Sequence, residues 1–89
     1  MKVTIRGHSW LLVFVDRLPS GAAGEMDPVG VPRKEIRVAV QQSSLDVLDT
    51  LLHELLHAAF PDLSEESVTE GATDIARVLQ RLGVRVEQS

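Results

Sequence analysis

The chain has 89 residues, of which 44% are hydrophobic and 25% charged, and its formal net charge is −4 at pH 7. This composition is that of a globular domain, and the length suits a single small core, so we expect one domain over residues 1–89. The net negative charge argues against nucleic acid as a partner. Cysteine is absent, which excludes disulfides and thiolate metal ligands.

The N-terminal region contains one short apolar run, residues 10–15. It is too short for a signal peptide or a transmembrane helix, and we interpret it as a buried strand. We therefore expect a cytoplasmic protein that does not associate with a membrane.

Strand-forming residues dominate the first half of the chain. Residues 2–15 form two such runs separated by Gly7-His8, which predicts a hairpin turn. Residues 16–34 are rich in proline and glycine and show no apolar periodicity, which predicts a loop. Residues 35–41 alternate apolar and polar side chains, which predicts a half-buried strand. That strand is either an ordinary member of the sheet or a free edge to which an extended peptide can add.

Two helices are predicted in the second half. Apolar residues at helical spacing predict a helix over about residues 44–60, which Pro61 ends. Ser64 is a good N-cap for a second helix over about residues 64–82, with its predicted core face formed by Val68, Ala72, Ile75, Leu79 and Leu82. The short connection makes the helices antiparallel neighbours. We therefore predict an α+β fold, a small antiparallel or mixed sheet of about three strands packed on an antiparallel helical hairpin.

The first helix carries the motif His53-Glu54-Leu55-Leu56-His57, an HExxH pattern. On a helix the two imidazoles lie one turn apart on one face and can bind one metal ion together. The apolar arc of this helix is centred away from both histidines. The motif predicts a zinc site, with Glu54 as the general base that takes a proton from water. The alternative is a chance match in which both histidines are merely solvated.

A third ligand is needed, and the second helix offers a row of acids at a spacing of four, Glu66, Glu70 and Asp74. If the hairpin folds about Asp62, the midpoint of the two histidines faces a residue near 69. Glu70 is then closest, and Glu66 faces the level of His57. The alternative interpretation of the whole row is a solvated helix face.

Taken together, the HExxH motif and the segment Glu70-Gly71-Ala72-Thr73-Asp74 resemble the gluzincin clan of zinc metallopeptidases, which has HExxH on one helix and ExxxD on a later one. The resemblance implies His53, His57 and Glu70 as zinc ligands and a peptide or protein substrate. It also implies Asp74 as the carboxylate that accepts the spare N–H of a ligand histidine. The chain is most similar to very small zincin-like proteins, often associated with phages or prophages. Their recurring Leu-Ser-Glu-Glu element favours Glu66 as the alternative third ligand.

Two functions follow from this reading. The first is a zinc-dependent metallopeptidase with Glu54 as general base. The alternative is a catalytically inactive metal-binding or protein-interaction module that retains the HExxH helix. The chain has no tyrosine, so the only obvious groups to stabilise an oxyanion are His8, Arg33 and Arg37. The oligomeric state is open, although a chain this small can hide apolar surface in a dimer.

Overall fold

The computed structural model describes residues 1–87 as a four-stranded mixed sheet and two helices. The elements in chain order are β1 (Lys2–Ile5), β2 (His8–Val15), β3 (Gly24–Met26), β4 (Glu35–Ala39), α1 (Ser44–Ala59) and α2 (Glu65–Arg81). The predicted α+β fold is confirmed, with four strands in place of about three. No helix in the described part of the chain is long and apolar enough to cross a membrane.

The strand order in the sheet is β1-β2-β4-β3. β1 and β2 form an antiparallel hairpin whose turn contains Arg6 and Gly7, both with positive φ angles. β2 and β4 are parallel, and β3 pairs antiparallel with β4. β4 therefore has a partner on both sides, so the interpretation of residues 35–41 as a free edge is wrong. The free edge next to β4 is β3, a three-residue strand inside the segment predicted as a loop.

One face of the sheet packs on α1 and forms the core. The buried cluster contains Trp10 and Leu12 from β2, Ile36 and Val38 from β4, and Val47 and Ala58 from α1. Each fully buried aliphatic side chain contributes about 1.5–3 kcal/mol relative to exposure. α1 begins where the Ser43 hydroxyl accepts a hydrogen bond from the Asp46 N–H, and it ends before Pro61. Because Val47 and Ala58 of α1 pack in this core, the rotation of α1 about its axis is fixed, and with it the side chains that α1 turns away from the sheet.

Among the described elements, α2 packs against α1 alone. Its buried residues are Val68, Ala72 and Ala76, three positions spaced by four. Contact with one helix buries only a narrow arc, so the prediction that Ile75 and Leu82 belong to the core is wrong. Both are exposed, and the small side chain of Ala76 makes the close contact in their place.

Candidate metal centre

His53 and His57 lie on the side of α1 that faces the α1–α2 boundary. Their ring centroids are 4.8 Å apart with an interplanar angle of 68°. Each side chain keeps slightly more than a fifth of its surface exposed. The helical spacing thus brings two imidazoles to one accessible position, as the motif predicts.

Glu65, the first residue of α2, joins the two histidines. Its Oε1 lies 2.8 Å from His53 Nε2, and its Oε2 lies 2.8 Å from His57 Nε2. Within residues 1–87 these three side chains form the one group of three or more His, Asp or Glu whose ligand atoms can hold a metal ion. The Ser64 hydroxyl caps α2 by accepting a hydrogen bond from the Ser67 N–H, which fixes the first turn and with it Glu65.

The sequence-based candidates Glu70 and Glu66 are not brought to the histidines. Both are exposed, as is Asp74, because their row lies about 100° around the helix from the row that starts at Glu65. Their roles as ligands and as a supporting carboxylate stay predictions that the geometry does not favour.

The level of the two helices disfavours Glu70, whereas the rotation of α2 disfavours Glu66. The Thr73 hydroxyl donates to Asp49 Oδ2 at 2.9 Å, and His57 meets Glu65, so the hairpin folds about position 61 and not about Asp62. The sequence does contain an indication of Glu65: it is spaced by four from Thr69 and Thr73, and these three positions lie beside the buried residues of α2. An acidic residue in a first helical turn has an ordinary explanation in the helix dipole, which hid that signal.

Two imidazole nitrogens and one carboxylate suit zinc. With bonds near 2.0–2.1 Å and tetrahedral angles, ligand atoms around zinc are about 3.3 Å apart. The three ligand atoms of this group lie within 4.8 Å of one another, so binding a metal requires a small rearrangement of the side chains. Glu65 has a side chain that is 70% exposed, which leaves the carboxylate free to make this adjustment. Without a metal ion, the contacts of Glu65 with His53 and His57 are surface ion pairs, which contribute little to the stability of the fold.

Glu54 differs from the other acids of the site because it is buried. It retains 8% of its surface exposed, and its carboxylate accepts no hydrogen bond from any residue of the described chain. Burial raises the pKa of the Glu54 carboxyl, and the neighbouring His53 and His57 act in the opposite direction. The carboxylate oxygens are not among the fully buried polar atoms that lack a partner, so they keep some contact with the surface of the site.

β3 passes close over the part of α1 that carries Thr50 and Glu54. A Cβ on Gly24 would lie 2.6 Å from Thr50 Cγ2 and 3.3 Å from Glu54 Cγ, so this approach requires glycine. Beside it is a cavity of about 290 Å³, with a lining that includes Gly24, Asp49, Thr50, His53, Glu54 and Thr73. Glu54 and His53, one of the two histidines of the candidate metal centre, therefore open into the same space.

The outer edge of β3 carries unpaired backbone groups. The Ala39 N–H donates to Ala23 O at 2.8 Å, and the Asp27 N–H donates to Glu35 O at 3.0 Å. In an antiparallel pair the residues between such bonds point their N–H and C=O groups the other way. Gly24 and Met26 thus present their backbone groups to the free edge beside the cavity.

None of the proposed oxyanion-stabilising groups lines this cavity. Arg37 is held by Asp27 at 2.8 Å and by Glu35 at 3.0 Å, with Glu25 at 3.6 Å. The Arg37 guanidinium and the Glu35 N–H lower the pKa of Asp27. The cavity lining contains neither His8 nor Arg33.

No family model, no curated protein and no solved structure matches this chain, so the geometry of the site is what bears on function.

Proposed function

We propose that this chain is a zinc-dependent metallopeptidase in which His53, His57 and Glu65 hold the metal and Glu54 is the general base. The observation that supports this most is the position of Glu54, a largely buried side chain in a cavity that it shares with His53. A carboxyl whose pKa is raised by burial and which faces a cleft is typical of a functional site.

When bound, zinc would supply a Lewis acid that polarises the scissile carbonyl and lowers the pKa of a coordinated water. Glu54 takes the proton of the attacking water and delivers it to the departing amine. Its position between two histidines of one helix keeps its carboxylate beside the site through the whole reaction. The close passage of β3 over Glu54 limits the access of bulk water to this carboxylate.

The free edge of β3 suits an extended peptide. Backbone groups of Gly24 and Met26 point outward there, so a substrate can add as a further strand next to Glu54. Pairing by main-chain hydrogen bonds would place the scissile bond without requiring a particular sequence.

The cavity beside that edge supports a preference for basic residues. Asp49 lines it, accepts one hydrogen bond from Thr73, and has no cationic partner in residues 1–87. An ammonium or guanidinium group entering the cavity would form a charge-assisted hydrogen bond with the Asp49 carboxylate. We therefore propose a lysine or arginine side chain next to the scissile bond.

The test is cleavage of a peptide library by the zinc-loaded protein, read by mass spectrometry. Glu54→Gln should retain the metal and lose cleavage by a factor on the order of 10²–10⁴. Glu66→Gln is the matched control, because it makes the same change at an exposed acid and should cleave normally. Equal cleavage by wild type and Glu54→Gln would overturn the proposal.

An inactive metal-binding module is the second candidate. It is favoured by the cavity lining, which includes no tyrosine, lysine or arginine of the described chain to stabilise an oxyanion. For such a module, zinc should raise the melting temperature while no peptide of the library is cut. The cytoplasmic location stays a prediction, which rests on the shortness of the N-terminal apolar run.

A further inference from the structure

α2 exposes a regular apolar row on the side that α1 does not cover. The row consists of Gly71, Ile75, Val78 and Leu82, at successive spacings of four, three and four. Ile75 is 42%, Val78 58% and Leu82 72% exposed. A 4-3-4 spacing is that of a seam between two packed helices, and no described element packs against this one.

A charged row runs beside the apolar one, and each of its last four members lies one residue before a member of the apolar row. It begins with acids and ends with arginines: Glu66, Glu70, Asp74, Arg77 and Arg81. All five are exposed, and none forms a salt bridge within the described chain. Like charges four residues apart repel each other on an isolated helix, so both halves of this row are unfavourable for a single copy.

The helix dipole accounts for only part of this arrangement. It favours acids in the first turn and cations in the last turn, and its effect fades within that turn. Glu66 and Arg81 fit this explanation. Asp74 and Arg77, near the middle of α2, do not; they are three residues apart and attract each other, but they form no salt bridge within residues 1–87.

A second copy of α2, antiparallel to the first, complements both rows at once. With a two-fold axis near Ala76, Ile75 packs against Val78 of the second copy, and Leu82 packs over the small Gly71. The same axis places the acidic half of one charged row opposite the arginine half of the other. A Cβ on Gly71 would meet only Leu56 Cδ1, at 3.8 Å, so α1 does not require glycine there.

We infer that the chain forms a homodimer in which the α2 helices of two copies pack antiparallel along the row Gly71, Ile75, Val78 and Leu82. This arrangement leaves the metal centre open, because Glu65 lies on another face of α2 together with Thr73. A single helix pair is a small interface, so association should be concentration-dependent, with a dissociation constant on the order of micromolar.

Sedimentation equilibrium of the full chain from about 1 to 200 µM, a range set around that constant, tests the dimer. The wild type should shift to twice the mass of one chain across this range. Val78→Glu should remain at the mass of one chain throughout. Gln80→Glu introduces a carboxylate at an exposed position of the same helix outside the row, and should dimerise like the wild type.

If Val78→Glu unfolds, a pair of variants with exchanged charges tests the dimer instead. One variant carries Arg77→Glu and Arg81→Glu, and the other carries Glu70→Arg and Asp74→Arg. Each variant alone should be monomeric, and an equimolar mixture should form a heterodimer. A wild type that is monomeric at every concentration overturns the inference, as does a dimer that Val78→Glu leaves intact or a pair that fails to associate on mixing.

Discussion

Replacing Gly24 with alanine should force β3 away from α1 at the candidate active site. The new Cβ would lie 2.6 Å from Thr50 Cγ2, whereas ordinary contacts at a Cβ are 3.4–4 Å. The strand, the helix or the Thr50 side chain must therefore move by about 0.8 Å at the closest point. The backbone of Gly24 does not have a positive φ, so the effect comes from space alone.

Overpacking of this kind costs about 1–3 kcal/mol, which corresponds to a melting temperature lower by about 10 °C in a domain of this size. Gly30→Ala is the matched control, since a Cβ there has no neighbour within 4 Å and should leave the melting temperature nearly unchanged. Peptide cleavage should fall in the Gly24→Ala protein because Glu54 Cγ is also within 3.3 Å of the new atom.

A double-mutant cycle identifies the atom responsible. Thr50→Ser deletes Cγ2 and retains the hydroxyl, so it should recover most of the stability lost by Gly24→Ala, with a coupling energy of about 1 kcal/mol. Thermal denaturation of the four proteins measures that coupling. Additive effects, or a Gly24→Ala protein as stable as Gly30→Ala, would refute the close approach of β3 to α1.

Three further predictions concern charge, specificity and capping. The hydrogen bonds of Asp27 stabilise the folded state by about 1 kcal/mol. Because the pKa of Asp27 is lowered in the folded state, this stabilisation is present above the unfolded-state pKa near 4 and is lost as the pH falls through the folded-state pKa. Asp27→Asn should be less stable at pH 7 and should flatten the acid limb of denaturation curves recorded from pH 7 to 2; an unchanged limb would contradict this ion pair. Asp49→Asn should reduce cleavage next to lysine or arginine about tenfold in library profiling and leave cleavage next to neutral residues unaffected, so a uniform decrease would count against the proposed subsite. Ser64→Ala and Ser43→Ala each remove an N-cap worth about 1 kcal/mol, but only the former should weaken zinc binding in a competition titration, because it loosens the turn that holds Glu65.

The elements with strong periodicity were predictable from the sequence. α1 and α2 have clear caps, a proline or glycine at their ends and apolar residues at helical spacing, and the structure places them within a few residues of the predicted bounds. β3 was not predictable, because three residues in a segment rich in proline and glycine provide no alternation. Its existence depends on pairing with β4, a tertiary interaction.

The candidate site was predictable only in part. His53, Glu54 and His57 depend on the geometry of a single helix, which the motif encodes. The third member depends on how two helices align across a turn, and on which face α2 turns toward α1. Moving the fold point by one residue shifts the position that faces the midpoint of the histidines from about 69 to about 67. The five residues between Glu65 and Glu70 correspond to a rotation of about 140° around α2, and the sequence alone does not determine which of the two faces α1.

The most direct test of the metal centre is the zinc affinity of four proteins, the wild type and the alanine variants of Glu65, Glu66 and Glu70, by competition against a chromophoric chelator. We predict one zinc ion per chain for the wild type and an affinity at least about 100-fold lower for Glu65→Ala alone. Absence of zinc binding in the wild type, or loss of zinc in Glu70→Ala with Glu65→Ala unaffected, would contradict the account.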